Sequence, residues 1–285
     1  SVHEHRSWFQ RRHWAGLMNW LDTVRGQVVV VKFGGNAMLN DSLLETFAED
    51  VAFLVNADVK VIVVHGGGPQ ITSALGEAGI ESEFVNGLRV TPASAIQIIE
   101  RVLREDIGVP IASMLQKNGL EVEVLNGKTK ELLLAERTHA ELGLVGEVFA
   151  VRDLYLRELL ANKVVPVISS VAPDEDGNLL NVNADLAAAS IASSCEAKEV
   201  IFLTDVEGLY SNYPDPDSKV DSITTTELEK LLPSLDSGMV PKVQACLAAS
   251  YGGVKVSRIL DGRENHILQK LAQDENRLGT KVITQ

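Results

Sequence analysis

Lys32 ends a run of four valines and is followed by Phe33 and two glycines, in "VVVVKFGG". Four consecutive valines read as a strand buried on both faces. A cation at the carboxyl end of such a strand, with glycine amides bared beside it, could hold a phosphate group. It could equally be a lysine leaving the core before a turn. A second valine-rich segment, "VKVIVVHGGG", ends in Gly66-Gly67-Gly68. Ligands of open parallel sheets bind outside the carboxyl ends of the strands. Glycine lets the backbone approach a ligand there, and the following helix N-terminus adds partial positive charge. Two such turns on successive strands, with Lys32 beside the first, point to phosphate chemistry.

More distant residues extend that chemistry. "NVNADLAAAS" sets Asn181, Asn183 and Asp185 at the start of a helix, where each alone reads as a cap. "SGMVPKVQA" sets Lys242 in the first turns of another helix, where a lone lysine reads as solvated. Phosphoryl transfer spreads negative charge over the phosphoryl oxygens and calls for positioned cations and N–H donors. Two lysines, an acid to orient them and two glycine turns meet that demand.

The common nucleotide fingerprints are absent. "NGKT" (126–129) ends like a P-loop, but Val122 stands where the first glycine belongs. A dinucleotide fingerprint needs a glycine at position 71, which is Ile71. "HGGG" also serves as an esterase oxyanion motif. The nearest nucleophile elbow, Ala248-x-Ser250-x-Gly252, lies at a helix end, and Asp261 and His266 follow too closely for that fold.

The elements that must position these groups alternate along the chain. Strands at Val28–Phe33 and "VKVIVVHGGG" are each followed by an amphipathic helix, the first with Ser42 and Glu45 spaced as a capping box. "FVNGLRV" reads as a hairpin turning at Asn86-Gly87. Helices near 92–105 and 106–118 precede the strands "LEVEVL", "LVGEVFAV" and "VVPVIS". The helix "NADLAAASIASSC" leads to "EVIFLTDVEGLY", a strand running into a polar loop. Helices at 226–232 and 239–251 and strands "GGVKVSRIL" and "GTKVIT" complete the order. Such βα alternation predicts an α/β fold with a mostly parallel sheet covered by helices on both faces. We expect units at 28–195 and 196–285 behind a leading segment, 1–27.

That segment holds all three tryptophans (Trp8, Trp14, Trp20) and four arginines against two acids. Trp14, Leu17, Trp20, Leu21 and Val24 recur at helical spacing, so an amphipathic helix docking on a partner subunit is expected. A net charge of −13 argues against a nucleic-acid partner held by bulk electrostatics, and no apolar run is long enough to span a bilayer. Cys195 and Cys246 sit in alanine-rich helical stretches, as expected of reduced, buried thiols in a cytoplasmic protein.

"KFGGNAM", "HGGGPQI", "FVNGLRVT", "NVNAD", "LTDVEGLY" and "SGMVPKV" occur together and in this order. In that respect the chain, from about Val28 to Thr284, resembles the amino acid kinase family. "NGLRVT" narrows the resemblance to the members that act on N-acetyl-L-glutamate. The resemblance implies a three-layer αβα sandwich, the amino acid kinase fold, with the acyl acceptor in the N-terminal part and Mg-ATP in the C-terminal part. The implied reaction moves the ATP γ-phosphoryl group to the side-chain carboxylate of N-acetyl-L-glutamate, a step of arginine biosynthesis. Lys32 and Lys242 would stabilise the phosphoryl group, and Asp185 would hold both lysines. Gly67, Gly68, Arg89 and Asn181 would bind the acceptor, with Arg89 pairing its α-carboxylate, a match for the planar guanidinium. Gly34, Gly35, Asp205, Gly208, Leu209, Tyr210, Asp236, Gly238 and Met239 would bind ATP. Mg2+ would be held through the nucleotide phosphates, with no protein metal site.

The resemblance also implies regulation. Members with a leading helix interlace dimers into a hexameric ring and are inhibited by L-arginine. Trp20, His266, Glu275 and Gly279 match that region, although in "DENRLGT" the acid stands one place off the family's spacing. "REDIGVPIAS" and "LNGKTKEL" also depart from the family pattern, and neither contains nor is expected to touch a site residue named above. Two alternatives remain: a relative acting on another acyl acceptor such as an aminoadipate derivative, and a non-catalytic arginine sensor. Retention of Lys32, Asp185 and Lys242 argues against the sensor.

Overall fold

A computed structural model describes residues 20–285; Trp8, Trp14, Leu17 and the rest of the leading segment lie outside the described residues. The described part of α1 covers residues 20–24. The first half then runs β1 (Val28–Phe33), α2 (Asp41–Asn56), β2 (Lys60–His65), α3 (Gly68–Glu77), β3 (Phe84–Val85), β4 (Leu88–Arg89) and α4 (Ala93–Arg101). A π-helix (Val102–Gly108) joins α4 to α5 (Val109–Lys117), followed by β5 (Glu121–Leu125), β6 (Leu133–Arg137), β7 (Val145–Val151) and α6 (Leu154–Ala161). Next come β8 (Val164–Ser169), β9 (Val171–Pro173), β10 (Leu179–Val182), α7 (Ala184–Ser194), β11 (Glu199–Thr204), β12 (Leu209–Tyr210), β13 (Lys219–Val220) and β14 (Ser222–Thr224). The chain closes with α8 (Thr225–Leu231), α9 (Val240–Tyr251), β15 (Val256–Asp261), α10 (Ile267–Gln273) and β16 (Thr280–Ile283).

Eight strands form the central sheet in the order β14-β16-β15-β11-β1-β2-β8-β5. Its neighbours pair in parallel except β15 with β16. Alternate residues of each strand feed two apolar layers, as the two-residue period of a strand requires. Val29, Val31 and Phe33 pack with α2–α5, α10 and Trp20, whereas Val30 packs with α6–α9. The result is a sandwich of helices, sheet and helices. The sheet runs unbroken past residue 196, since β1 is flanked by β2 and by β11. A smaller sheet, β6-β7-β10-β9, and the β3-β4 hairpin lie outside it.

Several local expectations change. Ser42 does not cap α2; Asn40 does, its side chain accepting from the Leu43 N–H at 3.1 Å. The expected pair of helices over 92–118 is one continuous helical run with a seven-residue π segment inside it. Pro110 lies in the first turn of α5, where a proline ring would crowd the carbonyl four residues earlier. The widened π turn just ahead gives it room. "NGKT" is a structural turn, in which the Gly127 N–H donates to the Val171 carbonyl at 2.8 Å. Asn86-Gly87 is the expected hairpin turn, with positive φ at both residues. Both cysteines are buried and free, and burial pushes the Cys195 thiol up to about 12.

Candidate active site

β1 sits where chain connections reverse, to β2 on one side and β11 on the other. The crevice at its carboxyl end is therefore the expected ligand site. Lys32, near that end, brings its Nζ to 3.2 Å from Asp185 Oδ1. The two charges attract at that separation without aligning as a hydrogen bond. A Cβ at Gly34 would stand 2.8 Å from Lys32 Nζ, so glycine leaves room for the ammonium to fold over the backbone. Gly35 opens a short 3-10 turn (Gly35–Leu39). Across the crevice, the Asn183 side chain caps α7 by accepting from the Leu186 N–H at 3.0 Å. With the cap supplied by Asn183, Asp185 is left to pair with Lys32.

Beyond β2, Gly67 caps α3 and Gly68 opens it, with Pro69 in the first turn. Arg89, at the end of the hairpin, is 7% exposed. It donates to Ser82 Oγ at 2.7 Å, Thr72 Oγ1 at 2.9 Å and the Gly68 carbonyl at 3.1 Å. Its guanidinium also lies 4.7 Å from the centroid of the Phe84 ring. Every one of these partners is neutral. Among the described residues no carboxylate pairs with it, and burial pulls its pKa down. Asn181 on β10 donates to Thr91 Oγ1 at 3.3 Å. Lys32, Gly67, Gly68, Arg89, Asn181 and Asp185 line one cavity of about 290 Å³.

A second cavity, about 450 Å³, opens beyond β11 and is lined by Asp205, Gly208, Tyr210, Asp236, Gly238, Met239 and Lys242. Ser211, Asn212 and Tyr213 complete one wall, with the Tyr210 and Tyr213 rings edge to face at 5.5 Å. Asp236 Oδ1 accepts from the Gly238 and Met239 N–H groups at 3.0 and 2.9 Å, which sets the turn into α9. Leu209 does not line this cavity: its side chain is in the core, and its N–H donates to Thr280 Oγ1 at 2.9 Å. Lys242 faces the second cavity, and among the described residues it forms no ion pair with Asp185. The structure thus joins Asp185 to Lys32 alone. α7, which carries Asp185, packs against α9, which carries Lys242.

The four residues assigned to arginine fall in two places. The Trp20 indole donates to Glu199 Oε2 at 2.9 Å, and Glu199 also accepts from Arg258. Arg258 in turn reaches Glu275 Oε2 at 2.8 Å. Trp20 and Glu275 are thereby tied through a buried pair. His266 lies at the other end of α10, 3.0 Å from buried Asp50. Burial pushes the Asp50 carboxyl up, against hydrogen bonds from His266, Leu268 and Gln269. Gly279 lies just before β16 with φ +56, and a Cβ there would meet the Ile259 carbonyl at 2.1 Å.

The sequence pattern shared with known proteins covers most of this architecture. The model described as the amino acid kinase family matches residues 27–261. The chain belongs to the amino acid kinase family. It is 42% identical, over 278 residues, to the acetylglutamate kinase of Mycobacterium ulcerans (strain Agy99), covering 95% of this chain and 94% of that protein. To the acetylglutamate kinase of Arthrobacter sp. (strain FB24) it is 43% identical, covering 93% and 89%. Among solved structures, the N-acetylglutamate synthase of Neisseria gonorrhoeae complexed with coenzyme A and N-acetyl-glutamate superposes with a TM-score of 0.85 at 19% identity. That match covers 96% of this kinase and 63% of the synthase, so the chain spans less than two thirds of that neighbour's length. An isopentenyl phosphate kinase shares the fold with a TM-score of 0.65 at 21% identity, covering 90% of this chain and 99% of that one.

Three residues of the candidate site were not identified from sequence. Ser82 and Thr72 aim the Arg89 guanidinium. Ile107 lies against Gly67, where a Cβ would come to 2.1 Å of its Cδ1. The divergent "REDIGVPIAS" segment therefore does touch the site, contrary to expectation. Glycine runs announced the turn, but no spacing rule announces which distant side chain closes over it.

Proposed function

We propose that the chain transfers the γ-phosphoryl group of ATP to the side-chain carboxylate of N-acetyl-L-glutamate. The products are ADP and N-acetyl-L-glutamyl 5-phosphate, an intermediate of arginine biosynthesis. The observation that carries the reading is Arg89, a buried guanidinium with only neutral partners, across one cavity from the Lys32–Asp185 pair. A cation held in that way lacks the counter-ion that burial demands, and a substrate carboxylate supplies it.

In this reading 28–195 binds the acceptor and 196–285 binds ATP. Arg89 and Asn181 hold the acceptor, and the carboxylate to be phosphorylated lies toward Lys32. Lys32, oriented by Asp185, and the Gly67 N–H stabilise the charge that grows on the phosphoryl oxygens. Lys242 serves the same charge from the nucleotide side, at the head of α9. Among the described residues no group of three or more acids, histidines or cysteines could cage a metal. Mg2+ would enter on the nucleotide phosphates and neutralise part of their charge.

We further propose homo-oligomeric assembly through the leading helix, as a dimer or a trimer of dimers, and L-arginine as a regulator near α1 and α10. Two features support this: tryptophan enrichment of the leading segment, and the tie of Trp20 to Glu275 through Glu199 and Arg258. No helix among the described residues is long and apolar enough to cross a membrane. The proposed compartment is the cytoplasm.

Hydroxylamine traps an acyl phosphate as a hydroxamate and tests the reaction directly. With Mg-ATP, N-acetyl-L-glutamate is expected to give hydroxamate, whereas glutamate, aspartate and N-acetylaminoadipate give little. Loss of the product with arginine would support the regulatory site. Equal product from N-acetylaminoadipate would overturn the acceptor assignment, and arginine binding without any product would overturn the enzyme reading.

A further inference from the structure

His65 ends β2 directly before the glycine run and is completely buried. Its Nδ1 lies 3.1 Å from the carbonyl oxygen of Gly66. A carbonyl can only accept, so Nδ1 carries the hydrogen. Nε2 is then a bare acceptor, buried with no partner among the described residues. A Cβ on Gly108 would come within 3.3 Å of it, so the π segment fits closely over the ring. Desolvation pulls His65 down to about 4, with Lys32 adding to the effect, so the ring is neutral near pH 7. An aliphatic side chain would fill this place without burying an unsatisfied nitrogen. The Nδ1–H is what an imidazole adds.

The carbonyl of Gly66 and the N–H of Gly67 belong to one peptide group. In a trans peptide they are coplanar and point in opposite directions. Holding the carbonyl toward His65 therefore turns the Gly67 N–H the other way. Among the described residues that N–H donates to no group. Gly67 is closed from its other side by Ile107 and Leu103, 2.1 and 3.1 Å from where its Cβ would be. Glycines flank the peptide on both sides, so without these constraints rotation would be easy.

We propose that His65 is a positioning residue that locks the Gly66–Gly67 peptide with the Gly67 N–H presented to the transferring phosphoryl group. The role of that N–H rests on the phosphoryl-transfer reading above. The orientation of the peptide does not. His65 does not touch substrate; it acts through the peptide, as a support for a preorganised donor.

Three variants separate the lock from simple packing. In His65→Asn the side-chain amide nitrogen takes the place of Nδ1 and can still donate to the Gly66 carbonyl. In His65→Gln the nitrogen sits at the distance of Nε2, and in His65→Leu there is none. Removing one such donor typically costs about 100-fold in kcat. His65→Leu and His65→Gln are expected to lose about that much kcat, with Kd for ATP by calorimetry within about twofold of the parent. His65→Asn is expected to recover kcat to within about fivefold. Crystal structures of the Gln and Asn variants, solved without substrates, give a readout independent of turnover. The Gly66 carbonyl should be rotated in Gln and native-like in Asn. A native-like peptide in His65→Gln would overturn the lock, as would a folded His65→Asn as slow as Gln. Should the parent protein phosphorylate no acceptor, the reaction would be refuted while the crystal structures still decide the lock.

Discussion

Replacing Arg89 by methionine removes the guanidinium while keeping most of the side-chain volume. Three of its five N–H donors are engaged, by Ser82, Thr72 and Gly68, which leaves two for a ligand. Hydrogen bonds to charged groups contribute about 1.5–3 kcal/mol each, so a carboxylate taking both would lose about 3–6 kcal/mol of binding. That corresponds to a rise of roughly 10²–10⁴-fold in KM for N-acetyl-L-glutamate. The interaction is made equally before and during phosphoryl transfer, so kcat should stay within a few-fold. Stability should respond differently. Arg89 is buried without an acid, and deleting an unpaired charge offsets much of the cost of three lost hydrogen bonds. The melting temperature of the substrate-free protein should therefore stay within about 3 °C of the parent. Steady-state hydroxamate kinetics and a thermal melt are sufficient. A KM rise below tenfold would refute the assignment of Arg89 to the substrate. A melting temperature lowered by ten degrees or more would show that the guanidinium is structural.

Two other outcomes follow from the same crevice. His65 is held near 4 when folded against 6.5 when unfolded, so between those values only the unfolded chain takes up its proton. Its contribution to stability is full above pH 6.5 and falls as pH drops toward 4; by pH 5 about 2 kcal/mol is lost. Urea unfolding at pH 7.5 and pH 5 should show that loss in the parent in excess of His65→Asn, and equal losses in both would contradict it. Asp185→Asn leaves the mostly buried Lys32 without its counter-ion. We expect stability to fall by about 3 kcal/mol and kcat by about 100-fold, read from urea melts and hydroxamate rates. An unchanged kcat would remove Asp185 from the machinery.

Much of this fold and part of its site were legible in the sequence, and the exceptions have physical causes. Strands β1, β2, β8 and β11 announce themselves because a strand covered on both faces must be apolar throughout. α10 does not, since seven residues are too few to establish a period, and its position depends on Asp50 accepting from the Leu268 N–H. β6 was missed for a related reason: "LLLAER" pairs with β7 and resembles a helical segment until that partner is known. At the start of α2, Asn40, Asp41 and Ser42 are all capping residue types, and sequence spacing favoured Ser42 while the backbone selected Asn40. Within the candidate site, Lys32 and Asp185 were singled out by type and place and Arg89 by the resemblance, and the structure brings all three to one cavity. The Leu209 side chain lies in the core; a motif places a backbone, not the direction of a side chain.

The hardest residue to read was His65. In sequence it is one letter ahead of three glycines, and nothing in that spacing reveals which ring nitrogen is protonated. The neighbouring Gly66 carbonyl settles that, and the packing of a distant segment holds the ring and the peptide in place. The π turn over 102–108 carries both Gly108, against the imidazole, and Ile107, against Gly67. Widening the helix at that point does more than accommodate Pro110. It brings two consecutive residues onto the two sides of one peptide, one covering the group that holds the carbonyl and the other confining the following glycine. A regular helix over the same residues would rotate Ile107 and Gly108 relative to each other's present contacts, because each residue would turn by about 100° about the axis. The divergence of "REDIGVPIAS" from the family pattern thus falls on the segment that supports the glycine turn. Substitutions there should alter kcat through the Gly67 N–H even though none of those side chains lines the acceptor cavity.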